Sequence, residues 1–292
     1  MVDGLQSREG IPFGLDLRTE LSLRSIRFAK ARGLVYECTD GGTPSVLFCR
    51  DGEERHGNFQ ELSFRRIANN PEWSRRLAKV HTSWTRYRVR ANWNWKELDC
   101  AYSSDALLMS IFCHPETLRS KCVQATLGIT EEARPQFGFK PRTPLLNGRG
   151  DNTEIDMKLG HLLVEAKLTE SDFQSAGIGL ISRYRDFETI FDVSELSLHD
   201  QRYPNYQLIR GVLAAYASGD SFAVFCDARR PELIDNWYSV LRAVRSFELR
   251  CRLKLLTWQE LSAGLPTDLQ SFLAEKYGIV FSSVASQSKR SW

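Results

Sequence analysis

Between residues 153 and 170 the chain reads Thr-Glu-Ile-Asp-Met-Lys-Leu-Gly-His-Leu-Leu-Val-Glu-Ala-Lys-Leu-Thr-Glu, and its acids and lysine are spaced to share one ion. Asp156 stands in a short apolar run, Gly160 marks a turn, and a second run carries Glu165, Ala166 and Lys167. Side chains alternate faces along a strand. Glu165 and Lys167 therefore point one way, and Leu162, Val164, Ala166 and Leu168 the other. Charges on a strand otherwise built of core residues are unfavourable unless something compensates them. A divalent cation held by Asp156 and Glu165 would do so. Mg2+ suits such a site, because it takes one or two carboxylates, waters and phosphate oxygens in octahedral geometry. It would acidify a bound water and neutralise charge on a phosphorane-like transition state, with Lys167 orienting that water or offsetting negative charge.

For a turn centred on Leu159 and Gly160, residue 156 is expected opposite 163 and residue 154 opposite 165, on the face that Lys167 shares. A slip of one residue would send Asp156 to the other side.

This pattern resembles the PD-(D/E)xK nuclease superfamily of restriction-endonuclease-like proteins, in which a strand Asp is followed on the adjoining strand by a Glu or Asp two positions before a Lys. The resemblance assigns Asp156 as the first acid, Glu165 as the second and Lys167 as the lysine, and implies the backbone carbonyl of Ala166 as a further metal ligand. Ile155 stands where the name-giving proline would be. The match extends through Lys167, Thr169, Glu170 and Phe173, then through Tyr206, Gln207 and Arg210. Similar families place a Gln on a helix beside the metal, which implies that Gln207 lines the site. Upstream, Glu97-Leu98 and Ser103-Ser104-Asp105-Ala106 look like the helix that precedes the core in a group of such bacterial proteins.

Four further residues have two readings each. Glu154 is a second metal ligand or an exposed strand charge, and Glu170 a cap or an outer neighbour of the site. Glu97 is the helical acid of some similar nucleases or lies short of the helix. Arg210, one turn from Gln207, meets a phosphate or a surface carboxylate.

The net charge of +3 hides an uneven distribution. From Arg55 to Lys96 ten Lys/Arg face two Glu, a balance of about +8, against about −5 for the rest. Four of the seven tryptophans (Trp73, Trp84, Trp93, Trp95) fall in the same stretch. Cations interleaved with aromatics suit a polyanion, which makes Arg75, Arg76, Lys79, Arg86, Arg88 and Arg90 candidates for DNA contact. A solvated arginine face over a tryptophan-rich core is the alternative.

The elements that must hold these residues alternate in type. Short β-type runs at 34–38 and 45–49 flank a Gly-Gly turn, a short helix follows Pro71, and 86–95 is ambiguous. Ser103-Ser104-Asp105 caps an apolar helix to Cys113, stopped by Pro115. Residues 134–151, with three Pro and three Gly, read as a loop. Beyond the hairpin the pattern predicts helices at 180–191, 206–217, 231–247 and 265–277, with strands at 222–226 and 252–258. The fold expected is α/β, a mixed central sheet flanked by helices in a restriction-endonuclease-like core, with a basic, mainly helical N-terminal portion. Boundaries are placed at 1–96 for that portion, 97–283 for the core and 284–292 for a tail.

The 292 residues, 42% hydrophobic, support a real core, and no apolar run is long enough to span a membrane. Without an apolar leader at the N-terminus, a cytoplasmic location is expected. Seven cysteines without C-x-x-C spacing read as buried reduced thiols. Glycine-loop and serine-hydrolase motifs are lacking. His81 and His114 are lone histidines without metal-ligand partners at helical spacing, and His161, near the active face, is a turn residue or a DNA contact. The residues and the resemblance together imply a Mg2+-dependent DNA endonuclease, Mn2+ substituting; a homodimer would suit cleavage of both strands. The alternative is a nucleic-acid-binding or regulatory protein on the same fold without catalysis.

Overall fold

Gly160 has a φ of +59°, which glycine adopts without a steric penalty, and this closes a two-residue turn between Leu159 and Leu162. The hairpin made by that turn is the centre of the protein. The computed structural model describes residues 13–39, 45–51, 55–80 and 96–281. Its strands are β1 (Tyr36–Thr39), β2 (Ser45–Phe48), β3 (Arg50–Asp51), β4 (Arg55–His56), β5 (Pro135–Phe139), β6 (Ile155–Leu159), β7 (Leu162–Ala166), β8 (Ala176–Gly177), β9 (Arg202–Tyr203), β10 (Ser221–Cys226) and β11 (Leu253–Thr257).

Five of these form a mixed sheet in the order β11-β10-β7-β6-β5. Strands β5, β6 and β7 pair antiparallel, and β7, β10 and β11 parallel. Parallel neighbours need a crossover, and the helices Tyr206–Ser218 and Pro231–Ala243 supply it. Leu162, Val164, Ala166 and Leu168 turn to one face, where they meet Leu107, Leu108, Ile111 and Phe112 of the Ser104–Phe112 helix. Leu163, Phe222 and Val224 turn to the other, against Leu208, Val212, Trp237 and Val240. The sheet is thus a two-sided α/β core, as its near-continuous apolar strands require.

The N-terminal residues add to the first of these layers. Leu17 and Leu21 of the Phe13–Arg32 helix join the same apolar cluster as β6, β7 and β10. Phe28 meets Phe272 of the Thr267–Tyr277 helix edge-on, ring centroids 5.7 Å apart. Lys276, fully buried, donates to Asn58 Oδ1 at 2.6 Å and to the Ala101 carbonyl at 3.1 Å. Burial holds its pKa well below the usual lysine range. Among the described residues no helix is long and apolar enough to cross a membrane.

Several elements differ from the pattern-based expectation. The stretch 134–151 contains the edge strand β5, with Pro135 at its first residue, where a missing N–H is tolerated. Two four-residue helices, Ile178–Ile181 and Phe187–Ile190, replace the continuous helix expected at 180–191. The helix that begins at Pro231 ends at Ala243, and Ser246 caps a separate turn through the Leu249 N–H. After Pro71 one α-turn passes into a 3-10 turn, Arg75–Ala78. All seven cysteines are free thiols, but only Cys100, Cys113 and Cys226 are buried. Residues 81–95 lie outside the described residues, and with them His81, Trp84, Trp93, Trp95, Arg86, Arg88 and Arg90.

Candidate metal and nuclease site

Strands β6 and β7 pair Met157 with Val164, Lys158 with Leu163 and Leu159 with Leu162. Continued by one residue, this register sets Asp156 opposite Glu165, not opposite residue 163. The turn consists of Gly160 and His161, one position later than expected, so the pairing of Met157–Leu159 shifts by two. Beyond Met157 the two strands no longer pair backbone to backbone. Asp156 Oδ2 instead accepts the Ala166 N–H at 2.7 Å.

Adjacent residues on a strand direct their backbone groups to opposite edges. Lys167 N–H donates to the Phe225 carbonyl of β10 at 2.7 Å. Ala166 therefore presents both its N–H and its carbonyl to the β6 side, where Asp156 stands. Glu165 and Lys167 are buried, and Lys167 Nζ donates to Glu165 Oε1 at 2.8 Å. Arg210, also buried, brings Nη2 to 3.8 Å from Glu165 Oε2 and donates to the Glu154 carbonyl at 2.8 Å. Arg210 thus sits beside the second acid and not on the surface.

The backbone after Lys167 is anchored from several sides. Trp258 Nε1 donates to the Lys167 carbonyl at 2.9 Å, and Arg230 donates to the carbonyls of Leu168 at 3.0 Å and Glu170 at 2.6 Å. Glu170 accepts the Leu168 N–H at 2.6 Å and the Ser104 hydroxyl at 2.5 Å. Glu170 is thus an outer support that ties the Glu-x-Lys strand to the Ser104–Phe112 helix.

Asp156 is half-buried, and its carboxyl is pushed well above the usual range. Burial is the main cause, followed by the Glu165 and Asp105 carboxylates; Lys167 and the Ala166 N–H oppose it without cancelling it. For Lys167, burial favours the neutral amine, but Glu165, Glu170 and Asp156 together outweigh it and raise the pKa. The amine is therefore a cation at neutral pH.

Asp105 is the acid that sequence reasoning passed over. The sequence places it in the helix cap, whereas Ser103 is the N-cap and Asp105 lies buried inside the first turn. Its Oδ2 accepts from Arg76 Nη2 at 2.8 Å and Lys79 Nζ at 3.2 Å. A lone charge in the first turn of an otherwise uncharged, largely apolar helix was the available signal. Glu97 lies in a 3-10 turn ahead of that helix and pairs with Lys79 at 3.0 Å. Its pKa is raised by burial and by Asp105, with Lys79 opposing. Glu154 is exposed, precedes β6, and pairs with Arg76 at 3.2 Å and Lys140 at 4.0 Å.

Arg76 and Lys79 are thus joined to acids at the edge of the site, whereas Arg75 is exposed. Trp73 is a core residue whose Nε1 donates to the Pro135 carbonyl at 3.0 Å. Gln207 opens the Tyr206–Ser218 helix one turn before Arg210, and its Oε1 is buried with no hydrogen-bond partner among the described residues. His161 lies at the turn end of the hairpin, 3.2 Å from Asp220, away from Asp156. His114 pairs with Asp268 at 3.1 Å. Among the described residues no three His, Cys, Asp or Glu side chains form a ready cage for a metal. Asp156 and Glu165 stand on neighbouring, directly paired strands.

No curated protein and no solved structure matches the chain. The profile of a family described as restriction endonuclease associating with ARP matches residues 27–278, most of the sequence, and the chain belongs to that family.

Proposed function

We propose that this restriction-endonuclease family member is a Mg2+-dependent enzyme that hydrolyses phosphodiester bonds in DNA at the β6–β7 hairpin. The observation that supports this most directly is the hydrogen bond from the Ala166 N–H to Asp156 Oδ2 at 2.7 Å, which brings the β6 acid to the residue between Glu165 and Lys167. The donor set fits a hard cation. Two carboxylates and the Ala166 carbonyl offer oxygen, and a cation would favour the ionised form of Asp156, which burial and the neighbouring Glu165 and Asp105 carboxylates disfavour. Mg2+, or Mn2+ in its place, would bind Asp156, Glu165 and the Ala166 carbonyl and acidify a water.

The chain's own groups then have distinct roles. Lys167, protonated and fixed to Glu165, offsets negative charge on the attacked phosphate. Gln207, with a free buried carbonyl oxygen one turn from Arg210, orients the attacking water. Arg75, Arg86, Arg88 and Arg90 supply further phosphate contacts. The test is cleavage of duplex DNA with Mg2+, with Mn2+ and with chelator. Asp156→Ala and Lys167→Ala should abolish cleavage and leave DNA binding, whereas cleavage retained in both variants rejects the mechanism.

One observation favours a second reading, a DNA-binding protein without catalysis. Glu165 already has Lys167 at 2.8 Å and Arg210 at 3.8 Å, so it is held by two cations without a metal. In that case wild type would bind DNA equally with and without chelator and cleave under neither condition.

A further inference from the structure

Past the end of β7 the chain leaves the sheet, and the four successive carbonyls of residues 167–170 each accept a hydrogen bond from a side chain. Trp258 Nε1 donates to Lys167 at 2.9 Å, and Arg230 to Leu168 at 3.0 Å and to Glu170 at 2.6 Å. The remaining carbonyl, of Thr169, accepts from Arg18 Nη2 at 3.3 Å, 151 positions earlier in the chain. Arg18 belongs to the Phe13–Arg32 helix. Gly14, one turn before it on the same helix, lies against Arg230: a Cβ there would stand 3.1 Å from the guanidinium carbon.

We infer that Arg18, carried by the N-terminal helix, and Arg230 are positioning residues for Lys167: together they clamp the segment that follows it, so that turnover requires this helix to be docked on the core. The clamp rests on the nuclease reading of the hairpin and adds to it a dependence on the N-terminal helix.

Each part has a physical reason. Lys167, Leu168 and Thr169 are buried, and a buried carbonyl without a donor is unfavourable. A segment beyond the sheet ladder therefore keeps its course only where other groups supply the donors. Guanidinium N–H groups make charge-assisted bonds, and Arg230 spans two carbonyls with its two terminal nitrogens, which fixes the peptides between them. Arg230 is itself fully buried and paired with Glu232, so it is a rigid support. Arg18 is half-buried and lies 5.0 Å from the ring centre of Tyr102, the residue before the Ser103 N-cap. It thus joins the clamped segment to the helix that also holds Glu170 through Ser104. The Lys167 amine must stay on Glu165 Oε1, 2.8 Å away, to present its charge, and a shift of the peptide after it carries the amine along. Such a displacement lowers turnover without weakening the grip on DNA, because only the geometry of the reacting groups has changed.

Duplex cleavage at saturating Mg2+ and DNA, with DNA affinity measured separately in chelator, tests the clamp on the full chain. Arg18→Ala should lower kcat roughly tenfold, and Arg230→Lys, which keeps the charge but loses the two-carbonyl span, roughly a hundredfold, each at unchanged DNA affinity. Arg18→Ala, at the half-buried position, carries the test where Arg230→Lys fails to fold. Weaker DNA binding with kcat retained would make Arg18 a phosphate contact and overturn the clamp. Phe28→Leu loosens the same helix away from the clamp, and should lower the melting temperature while leaving kcat unaltered well below it. A parallel loss of kcat there would show that the helix acts through stability alone. The Lys167 Nζ resonance of lysine-labelled protein, assigned with Lys167→Arg, reads the amine without metal or DNA and should shift in both clamp variants. A wild type that does not cleave, with the resonance shifted in both, rejects the nuclease reading and upholds the clamp geometry. A wild type that cleaves, with resonance and kcat unaltered in both, rejects the clamp alone.

Discussion

The Ala166 amide donates to Asp156 Oδ2 at 2.7 Å, so an acidic side chain stands where the next backbone acceptor of the β6–β7 ladder would be. The exchange fixes one carboxylate oxygen on the frame of the neighbouring strand. The Ala166 carbonyl leaves the strand on the same edge as that amide, toward β6.

Asp156 gives a pH signature in the metal-free protein. Its pKa is raised in the folded state above an unfolded value of about 3.9. Folding therefore favours the protonated acid, a contribution present below the unfolded pKa and lost as pH rises through the folded one. Asp156→Asn in chelator should melt at a higher temperature than wild type at neutral pH, and the gap should close as pH falls toward about 4. Melting curves across pH check this; a variant less stable than wild type at neutral pH contradicts it.

Lys167 and Glu165 are a buried pair, and removing one partner strands the other. Lys167→Ala should lower unfolding free energy by roughly 3 to 5 kcal/mol. Pairing Lys167→Met with Glu165→Gln should recover most of that loss, since no charge is then left unpaired. Urea denaturation measures both, and equal losses in the single and double variants would reject the pair as the cause.

Gly138 and Gly148 separate backbone strain from crowding. Both have positive φ, +64° and +76°, but only at Gly138 would a Cβ strike Arg76 and approach Glu154. Gly148→Ala should cost about 1 kcal/mol from the backbone alone. Gly138→Ala should cost more and should displace Arg76 from Asp105. Equal losses at the two positions would show that Arg76 gives way freely.

The two kinds of arginine should differ in salt dependence. Arg75 is exposed, whereas Arg76 is already paired to acids. If Arg75 meets a phosphate, Arg75→Ala should reduce the slope of log affinity against log salt by about 0.9. Fluorescence anisotropy of a labelled duplex over a salt series reads the slope directly, and an unchanged value removes Arg75 from the interface.

The period-two alternation of the strand determines from sequence alone that Glu165 and Lys167 share a face opposite Leu162, Val164 and Ala166, because side-chain direction along a strand is a local property. Gly160 announces the hairpin, and Ser103 the start of its supporting helix, for the same local reason. Register was only partly legible: turns of Leu159-Gly160 and Gly160-His161 choose different partners, and the closed turn sets Lys158, not Asp156, opposite Leu163. The partners of Asp105 and Arg76 and the inward turn of Arg210 could not be read from the chain. Their partners are distant in sequence, and whether a charge meets solvent or another charge is settled only when the helices close over the sheet.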